Sequence, residues 1–394
     1  MVKKIAGIGA LLLLLVVVGK LQARPPMDVG LDYFYDSLAP YGEWISMNPW
    51  GWVWCPYDIG VDWRPYTVGN WDYSDYGWTF VSDEPWAWAT YHYGRWGFDD
   101  DCGWYWVPDS VWGPAWVGWR FGGGLMGWCP LPPGIRWRLG FGLDFGGFDL
   151  DDVGWSRWNF CELGHFADRD LRRFVFEPAR NVNLLRMTRN VTNYSFADNR
   201  IINNNIPLSD IERAMGRNVT HYRIAEAPGG LSNPISQIRG NEIQMFRPQV
   251  SSRSNIAAPR NVLPRRVTGV TAQQLQQRHD QERRTLTQRF NTQSNDMQRR
   301  HQQETGRQSQ MRGGGTARGT RREDTPDPAI SNDPMLKQQQ ETQMRQQAER
   351  QALQEQQRRE TRVLQNRQKR ESDQHQYVSR SQGSQAQKPT KKNP

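Results

Sequence analysis

The run Gly94-Arg95-Trp96-Gly97-Phe98-Asp99-Asp100-Asp101-Cys102-Gly103-Trp104-Tyr105-Trp106-Val107-Pro108 holds two aromatic stretches separated by an acidic patch. A Gly-x-Trp triplet opens the first, a Gly-Trp pair opens the second, and proline closes it. Trp104-Tyr105-Trp106 places two indoles on one face at period two, the side-chain spacing of a β-strand. Trp52-Val53-Trp54 and Trp86-Ala87-Trp88 read the same way. Gly-Trp pairs recur at Gly51-Trp52, Gly77-Trp78, Gly103-Trp104 and Gly127-Trp128, spaced 26, 26 and 24 residues. Gly-x-Trp triplets start at Gly42, Gly69 and Gly94, spaced 27 and 25. The two series interleave, so each unit reads as strand, turn, strand. All 19 tryptophans fall between Trp44 and Trp158. Short strands at such even spacing predict a mainly β fold, a short-strand repeat closed as a barrel, sandwich or propeller-like array.

Outward from the repeats the texture changes twice. Residues 135–158 are rich in Gly and Asp and read as loops around isolated aromatics. Asn181-Val182, Asn190-Val191 and Asn199-Arg200 then start successive segments that read as short strands parted by Asn turns. Ser209 to Gly216 reads as a short helix leading into a strand over Val219 to Ile224. Past Pro264 the chain is Gln, Arg and Glu. Thr271–Gln310 and Met335–Arg370 carry strong helix formers, but Leu275, Leu286 and Phe290, then Leu336, Leu353 and Leu364, are too sparse for a coiled-coil seam. A disordered or transiently helical tail is the expectation.

At the amino terminus, Lys3 and Lys4 precede an apolar run from Ile5 to Gly19, with Ala23 before Arg24-Pro25-Pro26. This is the pattern of a cleaved signal peptide, shorter than the roughly 20 apolar residues of a spanning helix. The reading is therefore a signal peptide (1–23), a Trp-rich β-repeat domain (24–160), an Asn/Arg-rich segment (161–265) and a low-complexity tail (266–394). No integral membrane span is expected after signal removal. The formal charge of +9 hides a segregation: 7 basic and 18 acidic residues between 24 and 160, against 24 basic and 14 acidic from 271 onward. Such a tail suits an anionic surface or the acidic domain itself. Without interleaved aromatics it does not read as a specific nucleic-acid binder.

Cys55, Cys102, Cys129 and Cys161 form an even set that an oxidising compartment would join into disulfides, with three pairings open. No ligand spacing points to a metal, and Asp99–Asp101 and Asp149–Asp152 lack the spacing of a calcium loop. The candidate ligand-binding residues are Trp52, Trp54, Trp78, Trp86, Trp88, His92, Arg95, Trp96, Trp104 and Trp106, whose indoles would stack on sugar rings. Against that stands the ordinary role of repeat aromatics as core. His92 has no nucleophile motif beside it and reads as structural. No catalytic residues and no cofactor are indicated.

Trp63-Arg64-Pro65-Tyr66, Glu84-Pro85-Trp86, Tyr91-His92-Tyr93-Gly94-Arg95-Trp96, Gly103 to Pro108, Trp112-Gly113-Pro114-Ala115-Trp116-Val117 and Gly127 to Pro133 together resemble an uncharacterised family of Trp-rich exported bacterial proteins. The resemblance implies an envelope protein; some relatives carry FecR-type domains, of which this chain shows none. The functional expectation is a noncatalytic exported envelope protein. Its β domain would bind glycan or another envelope component, with the basic tail as tether. The alternative is a structural or assembly protein with core tryptophans and a partner-docking tail, and an envelope hydrolase ranks last.

Overall fold

The computed structural model describes residues 28–57, 59–60, 63–227, 235–251, 258–259, 267–313 and 334–386. The segment read as a signal peptide lies outside them. A strand β1 (Asp28–Gly30) and a helix α1 (Asp32–Leu38) lead into four consecutive hairpins. These are β2 (Gly42–Met47) with β3 (Gly51–Pro56), β4 (Asn70–Ser74) with β5 (Gly77–Val81), β6 (Arg95–Asp99) with β7 (Gly103–Val107), and β8 (Val117–Gly122) with β9 (Leu125–Pro130). A short helix α2 (Ala87–Thr90) precedes the third.

The repeat has a structural meaning. Gly51, Gly77 and Gly103 hold φ of +78°, +74° and +78°, so each Gly-Trp pair marks the exit of a hairpin turn that needs a left-handed residue. Each hairpin then sets a buried aromatic pair at directly opposite positions of its strands: Trp44 and Trp54, Trp71 and Phe80, Trp96 and Trp106, Trp119 and Trp128. All eight rings are buried. Gly127-Trp128 is the exception to the series. It sits inside β9, where a Cβ on Gly127 would stand 2.3 Å from the Phe160 ring, and the fourth turn is made by Gly122 to Gly124.

The first and third units are alike, each a short helix followed by a hairpin. They join in one sheet of order β2-β3-β7-β6, where Trp54 faces the equivalent Trp106 across antiparallel strands. Their indoles also cap the preceding turns. Trp44 and Trp54 donate to the carbonyls of Tyr35 and Leu38 at 3.2 and 3.1 Å, and Trp96 and Trp106 to those of Thr90 and Tyr93 at 2.9 and 2.8 Å. Carbonyls at a helix end lack some intrahelical donors; those of Tyr35 and Leu38 also accept from the Ala39 and Tyr41 amides at 3.2 and 2.9 Å, so there the indole is a second donor to a buried carbonyl.

Beyond the repeats follow β10 (Arg136–Arg138), β11 (Gly142–Asp144), β12 (Asn159–Glu162), α3 (Asn181–Met187), β13 (Arg189–Asn190), β14 (Tyr194–Ala197) and β15 (Arg200–Asn203). Then come α4 (Leu208–Met215), β16 (His221–Glu226), β17 (Gln237–Arg239), β18 (Glu242–Met245) and β19 (Gln249–Ser251). The Asn-rich segment completes sheets begun by the repeats. One runs β14-β15-β5-β4-β16-β18-β17 and another β12-β9-β8-β13. The hairpins therefore spread over three open sheets among the described residues, and none closes into a barrel or a ring of blades.

Three local expectations change. Trp86-Ala87-Trp88 enters helix α2, because tight backbone bonds such as Tyr91 N–H to Ala87 O at 3.1 Å follow Pro85. Asn181-Val182 starts helix α3, with Asn181 buried and bonded to the Trp155 and Trp158 carbonyls. The tail is not disordered over its two polar blocks. It forms helices α5 (Ala272–Gly313) and α6 (Pro334–Ala386), roughly 60 and 80 Å long, that pack antiparallel as an arm. Thr271 and Gln274 open α5 with reciprocal bonds, Gln274 N–H to Thr271 Oγ1 and Thr271 N–H to Gln274 Oε1. Between the helices, Leu275, Leu286, Leu353 and Leu364 alternate with polar pairs, buried for His279 with Glu371 at 2.8 Å and His301 with Glu349 at 3.0 Å, half-buried for Arg289 with Glu360 at 3.0 Å. A hydrogen-bonded seam replaces the apolar one whose absence from the sequence pointed to a disordered or transiently helical tail.

Candidate functional site

The residues expected to form an indole platform are mostly core. Trp54, Trp78, Trp88, Trp96, Trp104 and Trp106 are buried, with Trp54, Trp78 and Trp106 showing no exposed surface, and only Trp52 and Trp86 are half-buried. None of the 19 tryptophans is fully exposed. Their rings make a continuous aromatic network, with centroids 4.7 Å apart for Trp71 and Trp119 and 5.1 Å for Phe34 and Trp106. A sugar ring needs an open indole face, and the hairpins turn theirs inward.

His92 lies in the turn after α2, buried, its Nδ1 2.9 Å from the Gly113 carbonyl and its ring stacked on Trp112. Burial pushes its pKa down to about 4, so it stands neutral as a structural group. Arg95 is buried with its guanidinium 3.9 Å from the centre of the Trp116 ring, and its Nε donates to the Ile135 carbonyl at 2.9 Å. Both hold the third unit against the segment that follows it.

One polar network is not legible in the sequence, because nothing in the spacing of its members marks it. Glu84, just before α2, accepts from the Trp63 indole at 2.6 Å and from the Tyr91 hydroxyl. Burial pushes the Glu84 carboxyl up to about 7, against the lowering effect of those two donors. A raised carboxyl pKa means the fold prefers the protonated form. That stability is complete below the ordinary value of 4.5 and is lost as pH rises through about 7. His92 has the opposite sign, losing its contribution as pH falls from 6.5 toward 4. Glu84→Gln mimics the protonated acid, so its stability relative to the parent chain should rise between pH 5 and pH 8 by on the order of 2–3 kcal/mol. Denaturant unfolding of both proteins across that range checks it; a constant difference would remove Glu84 as the titrating group.

The acidic patch of the third turn has a partner. Asp100 pairs with Arg362 of α6 at 2.9 Å, Asp101 accepts from Asn366 at 2.9 Å, and Glu43 pairs with Arg370 at 3.3 Å. Asp99 closes the turn, accepting from the Asp101 amide at 2.6 Å. Further along the arm, Arg359 donates to Ser156 Oγ at 2.8 Å and Gln293 of α5 to Glu177 at 2.6 Å. Ala352 and Leu353 pack with Ala179, an apolar contact inside this polar interface. The second acidic cluster is also spoken for: Asp149 accepts from the Asp151 amide, and Asp151 pairs with Arg120. Among the described residues no group of three or more His, Cys, Asp or Glu is placed to hold a metal ion.

All four cysteines are buried free thiols. Cys55 and Cys102 sit together in one small cluster with Val53 and Tyr105, the Cys102 thiol a hydrogen-bonding neighbour of Cys55. Cys129 and Cys161 belong to different clusters. Burial raises the pKa of Cys55, Cys129 and Cys161, which keeps them as thiols.

Residues 35–135 match the model of a family of unknown function, DUF6600, a stretch running from within α1 through the fourth hairpin and ending before the arm. No curated protein and no solved structure matches the chain. Among the described residues, no helix is long and apolar enough to cross a membrane.

Proposed function

We propose that this chain is a noncatalytic envelope protein of the structural or assembly type, exported by its amino-terminal segment, whose aromatic β domain is the base for a long polar arm. One observation carries the reading: most indoles are buried in the core while the basic arm is seated on the acidic third turn and Glu43. A ligand platform would leave aromatic faces open, whereas a scaffold spends them on rigidity. The arm presents exposed Gln along α5 and α6, such as Gln302 and Gln338, a surface suited to polar partners in the envelope. In an oxidising compartment Cys55 and Cys102 are the pair that geometry favours for a disulfide, because Cys129 and Cys161 lie in separate clusters.

The test is direct. Purified full-length protein, mixed with peptidoglycan and a panel of soluble glycans, should stay in the supernatant with flat intrinsic fluorescence. A photo-crosslinking residue at position 302 or 338, introduced in living cells, should give discrete adducts. Saturable quenching by any glycan would instead favour the platform reading, and a failure to crosslink from either position would sink the scaffold one.

A further inference from the structure

Between the acidic turns and the inner face of the arm lies a cavity of about 120 Å³. A single water needs roughly 10–15 Å³ of such space, so there is room for a small molecule. Trp63, Phe98 and Trp104 form its β-domain wall. The rest is dominated by guanidinium groups, among them Arg157, Arg359, Arg367 and Arg370.

The carboxylates of this cavity are already engaged. Glu43 pairs with Arg370, Glu360 with Arg289 and Glu371 with His279. Arg367 reaches outside the cavity to Glu282 at 3.2 Å, and Arg359 to Glu355 at 2.8 Å. Arg157 differs from all of these. Among the described residues no carboxylate stands within ion-pair distance of it. It donates to the Phe98 carbonyl at 3.3 Å and lies 5.7 Å from the Phe98 ring centre. The nearby Asp100 is held by Arg362. Its other neighbour is a like charge, Arg359, anchored on Ser156 one residue away. Burial and then the Arg359 charge lower the pKa of Arg157 below that of an ordinary arginine.

Two arginines of the lining also carry donors without acceptors. The Nε–H groups of Arg367 and Arg370 are buried and make no hydrogen bond. Buried polar groups of native proteins are almost always paired, with protein, water or an ion, and the half-buried Arg157 adds a charge with no carboxylate partner among the described residues. An anion with several acceptor oxygens in this cavity would supply a counter-charge to Arg157 and Arg359.

We propose that the cavity is a binding site for a small oxyanion, a phosphate or carboxylate group held between Arg157 and Arg359, with its carrier against Phe98 and Trp104. Guanidinium forks match both groups in a bidentate manner, which a point charge would not. Because one wall is the β domain and the other is α6, the ligand would also tie the arm to its seat. Occupancy would therefore raise the unfolding temperature.

Calorimetric titration of the full chain with inorganic phosphate and, separately, with glucuronate tests this, each at ionic strength matched with sodium chloride. Saturable binding of at least one at a single site per chain is expected, with a raised thermal midpoint relative to chloride. Affinity should fall about tenfold or more in Arg157→Gln. Phosphate binding alone identifies a phosphoryl ligand, and glucuronate binding alone a carboxylate; either keeps the proposal. No saturable heat from either anion at millimolar concentration overturns it. So does binding unchanged in both Arg157→Gln and Arg359→Gln, the second variant also standing in should the first not fold.

Discussion

Trp71→Ala should destabilise the β domain by roughly 3–5 kcal/mol, the range for truncating a large buried aromatic. Trp71 has no exposed surface and is ringed by aromatics from three parts of the chain. Tyr66 stacks on it with centroids 6.1 Å apart, Phe80 and Trp119 meet it at 5.0 and 4.7 Å, and Phe166 stacks at 5.8 Å. It links the second hairpin to the fourth and both to the segment after β12. Its indole N–H makes no hydrogen bond, so truncation orphans no acceptor and the loss is packing alone. That sets it apart from Trp106, whose removal would also strip a donor from the Tyr93 carbonyl. Trp71→Phe keeps part of the ring contact and should lose less. Equilibrium unfolding in urea measures both, and a Trp71→Ala loss below about 1 kcal/mol would show that this aromatic network is not the centre of the domain's stability.

Asn203→Leu should cost roughly 2–5 kcal/mol although it changes side-chain volume little, because it leaves a buried carbonyl and a buried indole N–H unpaired, each at about 1–3 kcal/mol. Asn203 is fully buried where β15 meets β5. Its Nδ2 donates to the Trp78 carbonyl at 2.7 Å and its Oδ1 accepts from the Trp119 indole at 2.9 Å. The change joins two sheets' fates, because Trp78 lies in β5 and Trp119 in β8. Near-ultraviolet circular dichroism should report altered indole packing together with the loss in stability. A variant as stable as the parent would mean that water replaces the amide at that junction.

The two predictions differ in how readable their residues are. Trp71 stands in a Gly-x-Trp triplet, and alternation with glycine punctuation is enough to identify its strand and turn. Asn203 stands in an Asn-rich run that reads only as turns, since nothing local distinguishes an exposed Asn from one between two sheets. The arm shows the same limit from the other side. Its sparse leucines argue against a helical pair, because a coiled coil is recognised by apolar periodicity. His279, His301, Glu349 and Glu371 supply the seam through bonds that form only once the helices are side by side.

The sequence by itself determined the strand–turn–strand unit, its near-26-residue period and the separation of an acidic domain from a basic tail. Each follows from local chemistry: period-two side chains, glycines able to turn the chain and the count of charges. The tertiary structure alone decided which way the indoles face and where the tail goes. Alternation says that Trp104 and Trp106 share a face of β7, but not whether that face meets solvent or Trp54 of another unit. Charge segregation says that the two halves attract, but not that Arg362 and Arg370 find Asp100 and Glu43 across more than 260 residues of chain. Burial and long-range pairing depend on how separate segments assemble, and that information is held by no window of the sequence.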